Sequence, residues 1–253
     1  MSRKLKIFIC MFLLAFMLSG CAAPAAESVV PTEAPAAIEA PAEAPEVDTT
    51  VQPEEPTPTP EEAPSLLGEV NGNQYINQAV GITAQIPEGW FVADEEQLSA
   101  VIGFTQEMIK SIDEMAPESN SVIMICSEND FSSESDLNTN INISFSNQAA
   151  MKALFNDKAV FDQTIESMDG MYEQLYPQIY PNATVETSGE QQITMVGKSY
   201  AQITIVTTYD GGTMYQDMYF VDLKDGVLTV TGTYYDKADK AIIDAFVSGI
   251  TYE

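Results

Sequence analysis

The fold is decided by residues 191–234, which read QQITMVGKSYAQITIVTTYDGGTMYQDMYFVDLKDGVLTVTGTY. Apolar and polar residues alternate along four stretches of this segment: 191–196, 200–208, 214–221 and 227–234. Short turns that contain glycine separate the stretches, at residues 197–198, 210–212 and 224–226. A period of two indicates a strand with one buried face, and short glycine turns join antiparallel neighbours. The segment therefore predicts a four-strand antiparallel meander.

Helical periodicity is found on both sides of this meander. Before it, residues 158–176 predict a helix that ends at Pro177. The predicted buried face of this helix consists of Phe161, Ile165, Met168, Tyr172 and Leu175. After the meander, Asp236 can cap a last helix. The inward residues predicted for that helix are Ile242, Ala245 and Phe246.

Shorter elements precede residue 158. Residues 74–76, 80–86, 122–126 and 138–145 predict strands, and Pro87 ends the second because proline cannot continue a ladder. Asp94 and Gln97 have capping-box spacing, which predicts the start of a helix over residues 95–115. In the strand 138–145, apolar and polar residues alternate, with Ile141, Ile143 and Phe145 set against Asn140, Asn142 and Ser144.

The order of elements is strands, helix, strands, helix, meander and helix, which is typical of an α+β fold with an antiparallel sheet. Short motifs resemble the Mog1/PsbP-type fold: Tyr75-Ile76-Asn77, Gly81-Ile82, Pro87-Glu88-Gly89-Trp90, Asn140-Ile141-Asn142-Ile143 and Phe246-Val247-Ser248-Gly249-Ile250. The resemblance implies a central antiparallel sheet sandwiched by about three helices. Members of this family include a photosystem accessory protein and a Ran-binding protein. None of their functional residues can be matched here, so the resemblance implies an architecture and no activity.

The chain begins with a secretory signal pattern, a basic start followed by the twelve apolar residues 7–18. As a helix this run spans about 18 Å, short of the roughly 30 Å of a bilayer core, so a permanent transmembrane helix is not expected. The sequence Leu18-Ser19-Gly20-Cys21 follows, and it resembles the bacterial lipobox. The resemblance implies cleavage between Gly20 and Cys21 and a diacylglyceryl group on the Cys21 sulfur. The alternative is an ordinary secretory signal, cut near Ala22 or Ala23.

Residues 22–67 have the composition of a spacer. These 46 residues contain ten prolines, ten acidic residues, eleven alanines and no lysine or arginine. Such a segment cannot bury enough apolar surface to fold, and its like charges favour an extended chain. We therefore divide the chain into a lipoprotein signal (1–20), a lipidated cysteine with a disordered linker (21–67) and a single acidic α+β domain (68–253).

The charge balance excludes several classes of function. The 253 residues include 38 acidic and 10 basic side chains, for a net charge of −28, and no histidine. Without imidazole, Ser-His-Asp and Cys-His catalysis and histidine-ligated metals are excluded. Arg3 is the one arginine, and the predicted domain has 28 acidic residues against 7 lysines. Nucleic acid is therefore not an expected partner.

One acidic loop is a weak candidate for a metal site. Asp136, Asn138 and Asn140 have the spacing with which an EF-hand calcium loop begins. However, Ile141 stands where the loop needs glycine, and Asn147 stands where it needs a bidentate glutamate. The alternative is a solvated connection between strands. We predict no cofactor.

Two further groups of side chains have both a structural and a functional interpretation. Cys126 lies in an apolar run and is predicted to be a buried, inert thiol, because no imidazole is present to activate it. Four tyrosines come from successive strands of the meander and could form a stacking platform or lie beneath a helix. They are Tyr200, Tyr215, Tyr219 and Tyr234.

The sequence favours a non-enzymatic, lipid-anchored protein that faces outward from a bacterial cell membrane. Its domain is expected to bind or scaffold an extracytoplasmic protein or small ligand, and no catalytic residue is assigned. One alternative is a hydrolase that uses carboxylates without histidine. Another is a ligand-capturing lipoprotein of a transporter, although 186 residues are few for two lobes that close on a ligand.

Overall fold

The computed structural model describes residues 67–100, 120–131, 137–147 and 149–252. The predicted signal, the cleavage and lipid site at Gly20 and Cys21, the linker up to residue 66, and Asp136 lie outside these residues. So does the first predicted helix beyond residue 100. No helix within the described ranges is long and apolar enough to cross a membrane.

The described residues contain eleven strands that form two sheets. In chain order they are β1 (Glu69–Asn71), β2 (Gln74–Asn77), β3 (Ile82–Gln85), β4 (Phe91–Val92), β5 (Asn120–Ser127), β6 (Asn140–Ser146), β7 (Thr184–Met195), β8 (Lys198–Tyr209), β9 (Gly212–Leu223), β10 (Gly226–Tyr234) and β11 (Thr251–Tyr252). The larger sheet has seven strands in the order β4-β5-β6-β10-β9-β8-β7, and the smaller has the order β1-β2-β3-β11. All pairs are antiparallel.

The meander is confirmed, because β7 to β10 pair in sequence order across the three predicted glycine turns. Its first strand is longer than expected, since β7 begins at Thr184 and not at Gln191. The small sheet is a second difference from the prediction of one central sheet. It forms because the end of the chain returns to β3, where Thr251 pairs with Thr83 and Tyr252 with Ile82.

Three helices are described from end to end: α1 (Ala149–Asn156), α2 (Lys158–Ile179) and α3 (Lys240–Gly249). Residues 95–100 are also helical. The predicted capping box begins this fourth helix, with the Gln97 N–H donating to Asp94 Oδ1 at 2.8 Å and the Asp94 N–H donating to Gln97 Oε1 at 3.0 Å. A 3₁₀ turn, Lys237–Asp239, precedes α3 and is capped by Asp236.

The sequence interpretation of the helices is wrong in three places. Helix α1 is not predicted, and Pro177 lies inside α2 instead of ending it. The 3₁₀ turn delays the start of α3, so the buried face of that helix is shifted. Phe246 is buried as predicted, but Ile243 and Val247 are buried in place of Ile242 and Ala245. Ile242, by contrast, is 39% exposed, and Ala245 is exposed too.

The apolar core lies on both faces of the seven-stranded sheet. On the face covered by α1 and α2, here called the helix-pair face, Phe161, Met168 and Leu154 pack against sheet residues such as Ile203 and Met218. On the opposite face, here called the α3 face, α3 and the small sheet pack against residues such as Ile143 and Val230. This arrangement confirms the predicted α+β class, an antiparallel sheet with helices packed on it.

Candidate functional site

A buried carboxylate lies on the α3 face of the sheet. Asp217 of β9 is 1% exposed, and both of its oxygens accept hydrogen bonds. Oδ1 accepts from Gln202 Nε2 at 3.0 Å and from Thr204 Oγ1. Oδ2 accepts from Tyr234 OH at 2.8 Å and lies 3.2 Å from Lys240 Nζ. The charge of Asp217 is therefore matched by four donors, one of them a cation on α3.

Lys240 connects this carboxylate to a second one. Its Nζ lies 2.8 Å from Asp244 Oδ1 and 2.9 Å from Tyr219 OH, and Tyr219 OH in turn donates to Asp244. Burial raises the pKa of the Tyr219 and Tyr234 hydroxyls, and the nearby charge of Asp217 raises both further. Burial alone would lower the pKa of Lys240, but hydrogen bonding and attraction to Asp244 and Asp217 raise it.

The raised pKa values favour a structural role for this group and not an acid–base pair. We call the group the clamp and define it as Asp217, Tyr219, Tyr234, Lys240 and Asp244. The two tyrosines remain protonated, Lys240 remains charged, and Asp217 has no oxygen free for a substrate proton. The predicted tyrosine group also lies here, and three of its members are buried beneath α3: Tyr200, Tyr219 and Tyr234. Of the two alternatives for these tyrosines, the structure favours helix cover.

Two clefts border the small sheet, and neither joins two carboxylates. One has a volume of about 240 Å³ and lies between the small sheet and β5, with Tyr75, Ile123 and Glu95 in its lining. The other, of about 360 Å³, is lined by β2, β3 and β11 residues such as Tyr252, none of them acidic. The acid and base pair of a histidine-free hydrolase is therefore not assembled in either cleft.

A band of neutral polar side chains crosses the helix-pair face of the sheet. We call it the polar band and define it as Asn140, Asn142 and Ser144 of β6 with Thr229, Thr231 and Thr233 of β10. Each residue is at most 3% exposed. The register sets them in three cross-strand rows, Asn140 with Thr233, Asn142 with Thr231, and Ser144 with Thr229. Because side chains alternate along a strand, the apolar residues between them all face α3.

The first row of the polar band is hydrogen-bonded. Thr233 accepts from Gln216 Nε2 at 3.3 Å, and Gln216 Oε1 accepts from Tyr176 OH of α2 at 2.6 Å. Asn140 donates through Nδ2 to the Asn138 carbonyl at 2.9 Å. This end of the band is therefore tied both to α2 and to the loop before β6.

The middle row is different. Asn142 Oδ1, Asn142 Nδ2 and Thr231 Oγ1 are buried, and within the described part of the chain none of the three atoms has a hydrogen-bond partner. Both residues are 0% exposed. A buried polar group without a partner costs about 1–3 kcal/mol, so such groups are rare and call for a functional or solvent explanation. The hydroxyls of Thr187 on β7 and Thr207 on β8 share this property, so the middle row is distinguished only by having two such side chains opposite each other.

The surroundings of the middle row are apolar and uncharged. On the same face, Ile125 is the cross-strand neighbour of Asn142 and Met218 that of Thr231, and both are buried. The ion pair of Lys152 with Asp222 lies further along this face, on the row of Val227, and Asp222 is 44% exposed there. The band itself contains no charged side chain.

The predicted cation residues have other partners. Asn138 Oδ1 accepts the Asn129 N–H at 3.0 Å, and Asn138 Nδ2 donates to the Asn129 carbonyl at 3.3 Å. Asn140 belongs to the polar band, and Asp136 lies outside the described residues. Within those residues, no three His, Cys, Asp or Glu side chains form a group that could hold a metal. Asp136, Asn138 and Asn140 therefore remain weak and untested candidates for a cation site.

Cys126 is the free thiol that the sequence analysis singled out. It is 0% exposed on β5, and burial raises the pKa of its thiol far above the usual value. A thiol held in the protonated form is a poor nucleophile. The predicted burial of Cys126 is confirmed, and its inertness remains a prediction that the raised pKa supports.

The polar band was not predicted from the sequence as a candidate site. The alternation in β6 was predicted, but a polar strand face is normally solvated and so carried no signal of its own. The signal that was available is the repeat of threonine at every second position of β10, in phase with the polar residues of β6. Two adjacent strands with the same polar face indicate a shared environment beneath them.

Comparisons with known proteins give distant structural similarity. No protein-family model matches the chain, and no curated protein matches its sequence. The solution structure of cyanobacterial PsbP (CyanoP) from Synechocystis sp. PCC 6803 is similar with a TM-score of 0.41 at 12% identity, over 75% of this chain and 100% of that one. A crystal structure from Bacteroides thetaiotaomicron has a TM-score of 0.38 at 8% identity, over 73% of this chain and 49% of that one.

A third similar structure is that of LpqN, involved in cell envelope biogenesis of Mycobacterium tuberculosis. Its TM-score is 0.33 at 13% identity, over 67% of this chain and 82% of that one. TM-scores this low establish no family for the chain. The Mog1/PsbP-type resemblance of the sequence therefore remains a prediction. The α+β class, by contrast, is shown directly by the structure.

Proposed function

We propose that this chain is a non-enzymatic lipoprotein, anchored through Cys21 to the outer side of a bacterial membrane, whose domain is a binding module. The observation that carries the binding role is the middle row of the polar band, Asn142 and Thr231. Apolar side chains of the same shape at these positions would be neutral or stabilising, so the stability of the sheet does not require the two polar side chains. A ligand that hydrogen-bonds to them would give them a role.

The anchor follows from the order of features at the start of the chain. A basic start, a short apolar run and Leu18-Ser19-Gly20-Cys21 together match the pattern of a lipoprotein signal. Two acyl chains hold a protein stably on a bilayer, whereas one chain holds it only marginally. The proline-rich, acidic residues 22–66 would then set the domain away from the membrane surface.

The anchor is tested by comparing two cysteine substitutions in cells that express the full chain. Cys21→Ser is expected to release the protein to the medium or to leave a precursor of higher mass, because serine cannot take the thioether-linked lipid. Cys10→Ser, within the signal, makes the same atomic change and is expected to leave the protein in the membrane fraction. Membrane retention of Cys21→Ser with unchanged mass would contradict the proposed anchor.

A further inference from the structure

We propose that the tip of the β7–β8 hairpin contacts the phospholipid bilayer to which the chain is anchored and inserts Val196 among the lipids. We call residues 193–198 the hairpin tip. The inference rests on the proposed anchor at Cys21 and adds an interaction surface on the folded domain. It is drawn from the pairing of the tip, the exposure and backbone of Val196, the local charge, and the place where the linker joins the domain.

The hairpin tip separates from the neighbouring strand of the seven-stranded sheet. Pairing of β8 with β9 begins at Ala201, whereas β7 and β8 remain paired down to Met195 and Lys198. The last three rungs of the hairpin therefore lie outside the β8–β9 ladder. Lys198 braces them, because its Nζ donates to the Ile250 carbonyl and lies 5.2 Å from the centre of the Tyr252 ring. A braced tip loses little conformational freedom when it makes a contact.

Val196 is highly exposed, and its backbone conformation is unfavourable for valine. The residue is 81% exposed, compared with 47% for Leu137. Its φ is 49°, followed by 77° at Gly197, as in the two-residue turns that favour Asn-Gly. A β-branched residue rarely adopts a positive φ, and such outliers concentrate at functional sites. The tip thus presents an apolar side chain where asparagine would be ordinary.

The charge of the domain favours contact with lipid through this tip. The predicted domain has 28 acidic residues against 7 lysines, yet residues 191–200 contain no Asp or Glu and include Lys198. Carboxylates that approach a bilayer lose hydration, which is unfavourable. Anionic lipids also repel them within a Debye length of about 8–10 Å. An apolar tip without carboxylates can approach lipid at a lower cost than the acidic surface can.

The linker joins the domain near the hairpin tip. The first described residue, Leu67, precedes β1, and a row of paired residues crosses the small sheet from β1 to β11: Glu69, Ile76, Thr83 and Thr251. Three strand spacings make this row about 14 Å long. Its far end follows Ile250, whose carbonyl accepts from Lys198 of the tip. A domain of this size is about 40 Å across, so the attachment point and the tip are close together.

The tether makes a small contact sufficient. A flexible chain with the length of residues 22–66 spans about 40 Å on average, which is close to the width of the domain. Contact between the anchored domain and its own bilayer is therefore intramolecular, with an effective concentration of the order of millimolar. One inserted valine supported by a braced hairpin can then shift the domain toward the docked state.

The experiment uses the full lipidated chain in vesicles of phosphatidylcholine. Thr194, which is exposed in the hairpin tip, is replaced by cysteine and labelled with NBD, a fluorophore whose emission shifts to the blue in lipid. The label is confined to this position because Cys126 is buried and Cys21 would carry the lipid. The test variant is Val196→Asn. The matched control is Leu137→Asn, which changes an exposed apolar residue near the start of β6, at the other end of the sheet.

We expect the labelled natural tip to show blue-shifted emission that is quenched by lipids with a nitroxide on the acyl chain. Val196→Asn should lower the ratio of inserted to free tip at least about tenfold, because it removes the apolar side chain that lipid would bury. Leu137→Asn should leave the emission unchanged. Thermal unfolding should show that Val196→Asn is at least as stable as the natural chain, since asparagine tolerates this φ. Added phosphatidylglycerol should weaken the contact at low salt, because it repels the acidic domain.

The outcomes separate the tip from the anchor. Emission typical of water, or equal emission from the natural tip and Val196→Asn, in a chain that stays on the vesicles would overturn the inference and leave the anchor standing. Loss of the chain from the vesicles would overturn the anchor and the inference with it. A blue shift without nitroxide quenching would indicate an apolar protein contact and overturn the bilayer as the occupant. A contact that strengthens with phosphatidylglycerol would contradict its apolar nature.

Discussion

Replacing Asp217 by asparagine should destabilise the domain far more than the same change at Asp244. Asp217 is 1% exposed, and each of its oxygens faces only donors, Gln202 and Thr204 on one side and Tyr234 and Lys240 on the other. The amide introduced at position 217 must therefore turn its own N–H groups toward one of these donor pairs, whichever way it is oriented. At least one buried hydrogen bond is lost and one donor is left facing another.

The magnitude follows from these losses. A hydrogen bond to a charged group contributes about 1.5–3 kcal/mol, and a stranded donor adds a similar penalty, so Asp217→Asn should lower the free energy of unfolding by about 3 kcal/mol. Asp244 pairs with the same Lys240 but its side chain is 39% exposed, so water screens the pair. Asp244→Asn should therefore cost no more than about 1 kcal/mol.

Thermal unfolding of the full chain measures the difference directly. For a domain of this size, 3 kcal/mol corresponds to a fall in the melting temperature of about 6–12 °C, and 1 kcal/mol to about 2–4 °C. Equal shifts for Asp217→Asn and Asp244→Asn would refute the reasoning. That result would mean that the burial of Asp217 and its additional donors contribute nothing to the stability of the clamp.

Three further predictions concern stability. Gly232→Ala should lower the melting temperature, with a cost of about 1–3 kcal/mol, because a Cβ there would overlap the buried Ile243 side chain. Val196→Asn should raise it by about 2–3 °C, since Val196 is 81% exposed with a φ of 49° at the tip of the β7–β8 hairpin, and asparagine tolerates this conformation. Burial raises the pKa of Tyr75 and Tyr200 to about 12. Above the unfolded value near 10, the unfolded chain loses these protons while the folded domain keeps them, so the stability that is fully present below about pH 10 is lost as the pH rises. Urea midpoints should therefore fall steeply between about pH 10 and pH 12, and less steeply in Tyr75→Phe.

The strands of the meander could be predicted because their signals are local. Alternation and glycine turns lie within the segment itself, and pairing between consecutive strands needs no distant information. The first half of β7 escaped prediction because it is an edge strand with mostly exposed residues, from Thr184 to Glu190, so it lacks an apolar alternation. The small sheet escaped because β11 pairs with β3, from the opposite end of the domain.

The helix faces show a similar limit. The inward face of α2 was largely predictable from its periodicity, because the helix is long and begins at a clear cap, Asp157. The face of α3 was predicted correctly only at Phe246, because a 3₁₀ turn after Asp236 shifts the start of the helix and with it the buried face. Helical phase depends on where the first full turn begins, and sequence patterns locate that position only within a residue or two.

The two faces of the central sheet also separate structural from functional polarity. On the α3 face, Asp217 is polar and buried, but both of its oxygens have partners, which is the condition for a stable network. On the helix-pair face, Asn142 and Thr231 are equally buried, and within the described part of the chain their side-chain polar atoms have no hydrogen-bond partner. Burial of polar residues therefore does not by itself identify a site. The two faces differ in how completely their buried polar groups are hydrogen-bonded, since Asp217 has four donors and Asn142 has no partner among the described residues.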